Sequence, residues 1–446
     1  MSGTSDKIQT IAVFWFRRDL RLHDNAGLFH ALTSGFNVLP VFIFDSAILD
    51  KLNGDDKRVS FISQALDSIN HILAKYQTTV QLFYGKPALI FNQLLATYSI
   101  STVFANHDYE PYALERDHQV KALLAEKGVL FRTFKDQVVF EKDEVVKPDG
   151  EPYTVFTPYS RKWLEKLNNN AGVLHCWNSS DYLHNFFETE TNRKLEISDF
   201  GFNEISNVFK PFELNEQILQ FYDKTRDFPA LDSTSKVSVH LRFGTVSVRE
   251  LVAKALTINP VWLNELIWRE FFMQILWHFP HVVNKPFKPK YQFINWLNNE
   301  SDFNSWCKGQ TGFPMVDAGM RELNETGFMH NRVRMVTASF LVKHLLVNWQ
   351  WGEAYMATKL LDFELSSNNG NWQWSAGTGC DSAPYFRIFN PMSQAEKFDS
   401  KNKYIKKWVP EFGSSSYIQP IIDHSFARSR CLETYKSALE SSFNNI

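Results

Sequence analysis

The sequence predicts a two-domain protein in which an α/β domain with a doubly wound parallel sheet precedes an all-helical domain. Its 446 residues are too many for one small core, so two domains are the expected arrangement. In the first part of the chain, short apolar runs alternate with helical periodicity, which is typical of a parallel sheet covered by helices. From about residue 210 the strand patterns nearly vanish and helical periodicity dominates.

Buried strands are predicted where short runs are rich in Val, Ile and Phe. These runs cover residues 11–16, 38–44, 80–84 and 102–105. Apolar residues at helical spacing lie between and after them, at residues 61–73, 88–98 and 113–127. The turn after the first strand reads FRRDLRLHDN and lacks the glycine pattern that binds dinucleotides. We therefore expect a Rossmann-like sheet without a nicotinamide fingerprint, and with a charged loop at the carboxyl end of its first strand.

The domain boundaries follow from these patterns. Residues 1–139 are expected to form the α/β domain and residues 208–446 the helical domain. Residues 140–207 show no sustained periodicity and are expected to form a connection with some short helix. Breakers of regular structure are frequent there: Pro148, Gly150, Pro152 and Pro158.

Composition excludes several classes of protein. The net charge is −2, so nucleic-acid binding would have to depend on a local basic patch. The four cysteines are far apart and form no CxxC, so neither a disulfide framework nor a metal site is expected. The N-terminus lacks a signal-peptide core and no apolar run reaches membrane-spanning length. We expect a soluble, cytoplasmic monomer.

The segment of residues 361–397 carries the strongest functional signal. It combines the carboxylates Asp362 and Glu364 with two adjacent amides and with Trp372 and Trp374. A core helix does not need so many polar groups beside large aromatic side chains. A buried site that holds a polar heterocycle and moves charge past it does need them.

Two further segments carry weaker signals. Residues 261–272 have a helical pattern that places Glu265, Trp268 and Arg269 on one side. That pattern fits a carboxyl group beside an aromatic wall at a pocket floor, and it fits an amphipathic core helix with an ion pair equally well. Residues 234–238, TSKVS, offer hydroxyls and backbone amides that suit a diphosphate, although such loops are common.

Taken together and in this order, these segments resemble the DNA photolyase and cryptochrome family, most closely the class I photolyases that repair cyclobutane pyrimidine dimers. The resemblance implies that the helical domain binds FAD and UV-damaged DNA. It also implies a carbon–carbon lyase activity, in which light-excited reduced FAD donates an electron to a dimer flipped out of the duplex.

The resemblance assigns roles to the residues that match the family's motifs. Glu265 would hydrogen-bond a pyrimidine and Trp268 would stack on it. Completing the implied catalytic set are Asn331, Met335 and Trp374. The implied FAD contacts are Tyr222, Thr234, Ser235, Lys236, Val237, Ser238, Trp262, Arg334, Asp362, Phe363, Glu364 and Asn368. The implied DNA contacts are Arg226, Arg269, Arg332, Gln394 and Lys397. The family's electron relay from flavin to surface corresponds to Trp372, Trp349 and Trp296.

Three positions discriminate between branches of the family. Enzymes that repair (6-4) photoproducts carry histidines where this chain has Asn331 and Met335, so the resemblance favours the cyclobutane substrate. Asn368 matches the residue that faces flavin N5, where plant cryptochromes have Asp and insect cryptochromes have Cys.

A second, antenna chromophore is left open by the sequence. The residue pairs that contact folate in folate-containing photolyases are replaced here by Tyr112-Ala113 and Val282-Val283. Residues 106–117 look more like the segment of deazaflavin-type antenna domains, so a deazaflavin is favoured over a folate. A protein without a second chromophore remains an alternative.

Two other functions are compatible with parts of the pattern. A cryptochrome-type blue-light photoreceptor would bind FAD without repairing DNA, but the lesion-contact residues argue against it. A flavoprotein oxidoreductase that does not use light would need a nicotinamide site, for which no fingerprint is found.

Overall fold

The first part of the chain forms a five-stranded parallel sheet in a computed structural model that describes residues 9–189 and 195–443. Strands β1 to β5 are Thr10–Phe16, Val38–Asp45, Gln81–Gly85, Ser99–Asn106 and Leu130–Phe134. Their order across the sheet is β3-β2-β1-β4-β5, with every pair parallel. The predicted doubly wound fold is confirmed, and its switch point lies between β1 and β4.

Strand β1 shows why its sequence forms the centre of the sheet. Phe14 and Phe16 pack into the core on one face, while Val13 and Trp15 pack into the core on the other. Parallel sheets are covered on both faces, so a central strand is a continuous apolar run. The sequence pattern does not predict β5, because this edge strand alternates exposed residues, such as Arg132, with half-buried ones.

Helices cover the sheet and form nearly all regular structure after it. Helices α1 to α5 are Ala26–Leu32, Ser46–Leu49, Lys57–Leu73, Pro87–Thr97 and Pro111–Glu126. Helices α6 to α12 are Phe156–Asn169, Glu216–Gln220, Tyr222–Thr225, Ser238–Phe243, Val248–Ile258, Pro260–His278 and Glu300–Lys308. Helices α13 to α19 are Pro314–Thr326, Asn331–Ser339, Trp349–Lys359, Leu365–Ala376, Pro391–Phe398, Lys403–Trp408 and His424–Phe443. Within residues 9–189 and 195–443 every strand ends before residue 135, which confirms the helical second part.

The chain divides into two compact units that are not contiguous in sequence. The first comprises the residues up to Glu141 together with Leu167–Glu213 and Val237–Lys254. The second comprises Lys142–Lys166, Leu214–Lys236 and the chain from Ala255 onward. The domain boundaries expected from the sequence, at residues 1–139, 140–207 and 208–446, concern which segments fold independently, and they stay a prediction. Among the described residues, the helices are too short or too polar to cross a membrane.

The charged turn after β1 is neutralised by partners in its own unit. The Arg17 guanidinium donates to Asp117 at 2.6 Å, and that of Arg21 donates to Asp136 at 2.7 Å. The side chains of both arginines are less than a tenth exposed. Both arginines therefore form internal ion pairs that hold the turn against the sheet.

Helix α11 is positioned by its N-terminal cap. The side chain of Asn259 accepts hydrogen bonds from the backbone N–H groups of Val261 at 2.9 Å and Trp262 at 3.4 Å. Pro260 occupies the first helical position, where a missing N–H is tolerated. The cap thereby fixes the start of the helix that carries Glu265 and Trp268.

Candidate active site

Glu265 lies in an ion pair on α11. The Arg226 guanidinium, at the end of α8, donates to Glu265 Oε1 and also lies 5.3 Å from the centre of the Tyr222 ring. The Glu265 side chain is 33% exposed. Burial raises the pKa of Glu265 above its ordinary value, although the charge of Arg226 opposes the rise. The carboxyl group therefore keeps a proton more readily than a free side chain does.

Trp268 has one ring face covered by an aromatic partner that the sequence did not predict. Phe156, at the start of α6, stacks on Trp268 with ring centroids 3.7 Å apart and planes 5° apart. Asp381 accepts a hydrogen bond from the Phe156 backbone N–H at 3.0 Å and so fixes that ring. Trp268 itself is half-buried. The stack leaves Trp268 with one ring face supported by Phe156 and the other face available to a stacked base. The signal in the sequence was only an aromatic residue in the irregular segment 140–207.

The first carboxylate of the segment after α15, Asp362, is buried and only half satisfied. Arg334 on α14 donates to Asp362 Oδ2 at 2.9 Å, and the Asp362 side chain is 7% exposed. Its other oxygen, Oδ1, is buried and has no hydrogen-bond partner among the described residues. A buried oxygen without a donor is unfavourable by roughly 1–3 kcal/mol. The position therefore fits an N–H or O–H donor of a bound cofactor, and it brings together Arg334 and Asp362, both implied FAD contacts.

The second carboxylate, Glu364, is held from two sides. Arg269 donates to Glu364 Oε1 at 3.0 Å and Ser367 donates to Oε2 at 2.9 Å. The side chains of Glu364 and Arg269 are 5% and 12% exposed. Arg269 was expected to contact DNA. Its guanidinium instead forms an internal ion pair, which fits a role in positioning Glu364 better than contact with a phosphate.

The amides of α16 surround a further carboxyl group. Asn369 donates to Glu353 Oε1 at 3.2 Å and to the Val282 carbonyl at 3.0 Å. Asn368 donates to the Glu353 backbone carbonyl at 3.3 Å. Burial raises the pKa of Glu353 to about 7, although the hydrogen bond from Asn369 opposes the rise. The sequence motif ended at the amides and did not indicate Glu353, which precedes it on α15.

The predicted phosphate loop lies immediately before α9. Residues 234–236 belong to the second unit, and residues 237 and 238 belong to the first. Lys236 has a φ of +51°, a left-handed conformation, and its ammonium group pairs with the exposed Asp232 at 2.6 Å. A left-handed residue in such a loop turns successive backbone N–H groups to one side, which is a geometry that binds anions.

Comparison with known proteins identifies the family. Residues 12–175 match DNA photolyase, and residues 262–415 match the FAD binding domain of DNA photolyase. The chain is 36% identical to the deoxyribodipyrimidine photo-lyase of Vibrio cholerae, over 95% of this chain and 99% of that protein. The chain belongs to the DNA photolyase family. It is also 34% identical to the Escherichia coli deoxyribodipyrimidine photo-lyase, over 96% of this chain and 99% of that protein.

Solved photolyases share the fold over nearly the whole chain. The class III photolyase of Agrobacterium tumefaciens matches with a TM-score of 0.85 and 30% identity, over 98% of this chain and all of that one. The archaeal photolyase of Sulfolobus tokodaii, solved with two FAD molecules, matches with a TM-score of 0.79 and 32% identity, over 96% and 99%. Both the fold and the family predicted from sequence are confirmed.

In this photolyase the three tryptophans of the predicted relay lie in or against one core. Trp372 and Trp349 are each 3% exposed, and Trp296 packs against the same core. The Trp372 ring lies on Gly352, where an added Cβ would be 2.1 Å from a ring carbon. A fourth tryptophan, Trp306, lies with its ring centroid 6.1 Å from that of Trp372 and was not predicted.

Helix α14 begins with the residues that discriminate between lesions. Asn331 is exposed and Met335 is half-buried. His330, which precedes them, caps the helix by accepting from the Arg332 backbone N–H at 3.2 Å. Burial lowers the pKa of His330 to about 4, so its imidazole is neutral at pH 7. The sequence argument did not consider this histidine, which is uncharged at neutral pH.

Of the other predicted DNA contacts, Arg332 is paired and Lys397 is exposed. Arg332 donates to Asp227 at 2.8 Å and lies 4.2 Å from the centre of the Phe398 ring. Gln394 is half-buried, and its Oε1 has no hydrogen-bond partner within the described ranges. The remaining predicted site residues differ in burial: Trp262 is buried, whereas Phe363 and Trp374 are half-buried.

Proposed function

We propose that this protein repairs cyclobutane pyrimidine dimers in DNA by light-driven electron transfer from reduced FAD. The observation that supports this most strongly is the arrangement on α11, where Glu265, paired with Arg226, lies one helical turn from Trp268, whose ring is covered on one face by Phe156. A carboxyl group can hydrogen-bond a pyrimidine, and the open face of an aromatic ring can stack on a base. Full-length relatives named deoxyribodipyrimidine photo-lyase support the same conclusion.

The carboxylates and amides of the second unit suit FAD. When bound, FAD supplies the electron that light releases and accepts it again after the ring has split. Asp362 Oδ1 is available to an N–H or O–H group of the cofactor. The cation of Arg334 beside Asp362 compensates negative charge at the site, which favours a reduced, negatively charged flavin. Asn368 would present its amide to the ring, as in the family.

The substrate is a cyclobutane dimer extruded from the duplex. Extrusion is least costly at a damaged, poorly stacked site, and this contributes to selectivity. Ring opening of this lesion needs an electron out and back, and it does not need acid catalysis by histidine. That requirement agrees with Asn331 and Met335 at the discriminating positions and with the neutral state of His330.

The substrate assignment is tested with three matched oligonucleotides that carry one cyclobutane thymine dimer, one (6-4) product or no lesion. The chemically reduced, FAD-loaded protein is illuminated, and identical samples are kept in the dark. We expect restoration of the cyclobutane dimer in light only. Repair of the (6-4) product, or of neither lesion, would overturn the proposal.

The role of Glu265 is tested with two variants. Glu265→Gln keeps a hydrogen-bond donor at this position, whereas Glu265→Ala removes it. We expect the yield of splitting per absorbed photon to fall much further in Glu265→Ala than in Glu265→Gln, while dimer affinity and flavin content change less. A normal yield with poor flavin content in Glu265→Ala would instead make Glu265 a structural partner of Arg226.

We propose a deazaflavin-type chromophore as the antenna if a second chromophore is present. The sequence around Tyr112 supports this over a folate, and in the first unit the Tyr112 hydroxyl donates to Asp45 at 2.5 Å. The absorption spectrum of the purified protein, recorded before and after the release of bound chromophores, tests the proposal. A band of folate type would contradict it. The expected monomer is tested on the same sample by light scattering.

A further inference from the structure

Three potential metal ligands meet in the first unit, and none of them is among the residues assigned to FAD or the lesion. His23 lies in the turn after β1, Cys176 lies in the segment after α6, and Glu250 lies in the first turn of α10. His23 Nε2 is 2.9 Å from Glu250 Oε1 and 3.5 Å from Cys176 Sγ. One ligand atom from each side chain lies within 4.8 Å of the other two.

The two separations that involve His23 are close to those around a tetrahedral zinc ion. With Zn–N and Zn–O bonds of about 2.0–2.1 Å and a Zn–S bond of about 2.3 Å, tetrahedral geometry requires about 3.5 Å between nitrogen and sulfur and about 3.4 Å between nitrogen and oxygen. The nitrogen–sulfur separation already has the required value. The nitrogen–oxygen separation needs to widen by about half an ångström, and the His23 and Glu250 side chains are about half exposed and able to move.

A single buried carboxylate holds the neighbours of all three ligands. Asp24 follows His23 and is fully buried. Its Oδ1 accepts from the guanidinium of Arg249 at 2.9 Å and from the backbone N–H of Trp177 at 2.8 Å. Arg249 precedes Glu250 and Trp177 follows Cys176, so Asp24 ties together the three segments that carry the ligands. This cross-link distinguishes the cluster from a chance meeting of exposed side chains, because it preorganises the ligand backbones.

Outer partners are also present. Ser180 Oγ lies 3.4 Å from His23 Nδ1, on the side of the ring away from the other ligands. A hydrogen bond to the second ring nitrogen orients a histidine that binds a metal. The Cys176 S–H group donates to Asn178 Oδ1 at 3.2 Å, and this hydrogen bond is given up when the thiolate forms.

We propose that His23, Cys176 and Glu250 bind one Zn²⁺ ion, with water as the fourth ligand. On binding, the Cys176 S–H bond breaks, a Zn–S bond forms and the proton leaves to solvent, while the hydrogen bond between His23 and Glu250 is exchanged for bonds to the metal. Imidazole and thiolate ligands favour zinc over magnesium or calcium. The ion would act as a structural clamp on the first unit, since it joins three segments that are distant in sequence.

The test uses the full chain with FAD bound, dialysed against a chelator and then titrated with Zn²⁺ in the presence of a competing metal indicator. We expect one Zn²⁺ per chain and a higher unfolding temperature with zinc. Cys176→Ala and His23→Gln should each weaken binding at least tenfold and abolish the thermal shift. Matched controls are Cys380→Ala and His118→Gln, which change the same residue types outside the cluster and should bind as the wild type does.

Cobalt supplies an independent readout, because Co²⁺ bound by a thiolate in a tetrahedral site gives ligand-field bands at longer wavelengths than the absorption of oxidised flavin, the state in which the protein is titrated. These bands should appear in the wild type and be lost in Cys176→Ala. Failure of the wild type to bind Zn²⁺, or binding that is equally strong in Cys176→Ala, would overturn the proposal. Both results are independent of DNA repair activity.

Discussion

The stack of Phe156 on Trp268 gives the sharpest test of how the lesion platform works. Its ring centroids are 3.7 Å apart, so the Phe156 ring fills the space behind Trp268 and restricts the motion of that ring. An aromatic pair contributes about 0.5–1.5 kcal/mol beyond the area that it buries. If this energy holds Trp268 in position for a stacked base, Phe156→Leu should weaken dimer affinity by about 2- to 13-fold. The replacement keeps a large apolar side chain, so we expect a loss of stability below about 1.5 kcal/mol.

The assay measures the affinity of each variant for a labelled oligonucleotide with one dimer and for the undamaged strand. A double-mutant cycle with Trp268→Leu shows whether Phe156 acts through Trp268. If it does, Phe156→Leu has no further effect on dimer affinity when Trp268 has already been replaced. Phe279→Leu is the matched control, because Phe279 pairs edge-to-face with Phe287 at 5.0 Å. A Phe156→Leu protein with normal flavin content and dimer affinity within twofold of wild type would refute the reasoning.

Three further predictions concern the relay, the DNA interface and the pH dependence of stability. With oxidised flavin, Trp372→Phe should abolish photoreduction while prereduced enzyme still repairs dimers. Trp306→Phe changes a tryptophan beside Trp372 that is outside the proposed relay, so transient absorption showing equal losses in both variants would contradict the route. Arg332→Ala should lower the salt dependence of DNA affinity by about one unit of slope. The control Lys436→Ala, at an exposed lysine, should leave the slope unchanged. Equal slopes in the two variants would mean that Arg332 only pairs internally with Asp227. The folded-state pKa of Glu353 is raised from 4.5 to about 7, so the folded state binds this proton more tightly and loses stability as the pH rises through that window. The denaturation midpoint of wild type should therefore fall relative to that of Glu353→Gln over this range, and parallel pH profiles would show that Glu353 does not titrate there.

Local patterns in the sequence predicted the sheet and the helices because both depend on regular spacing. Strand β1 is apolar on both faces, and α11 has its capping residue, Asn259, directly before it. Each element can therefore be recognised from a few neighbouring residues. The edge strand β5 was not predicted, because two of its five residues are exposed and none is fully buried. Helix α6 lies within the segment that was expected to be a connection. It was not predicted, because the prolines in and before it interrupt the helical pattern of the sequence.

The contacts of the candidate site also fall into two groups, those that could be expected from the sequence and those that could not. The pairing of Arg334 with Asp362 was implied by the resemblance to photolyases and lies where expected. The engagement of Arg269 by Glu364 spans 95 residues, and the stack of Phe156 on Trp268 joins α6 to α11. Neither contact follows from spacing along a single element. Sequence reasoning therefore identified which residue types form the site, and the fold determined which of them are committed to one another.

The proposed zinc site bears on one expectation from the sequence, the absence of a metal site. No zinc site was expected from the sequence, because its four cysteines lack the short spacings of known metal motifs. That argument covers only ligands that are close in sequence, whereas His23 lies 153 residues from Cys176 and 227 from Glu250. Ligands so far apart can bind a metal only if the fold brings their backbones together before the ion arrives. Asp24 provides that link through Arg249 and Trp177. Zinc affinity should therefore depend on the folded state of the first unit, and it should be lost when that unit unfolds even though all three ligands are still present.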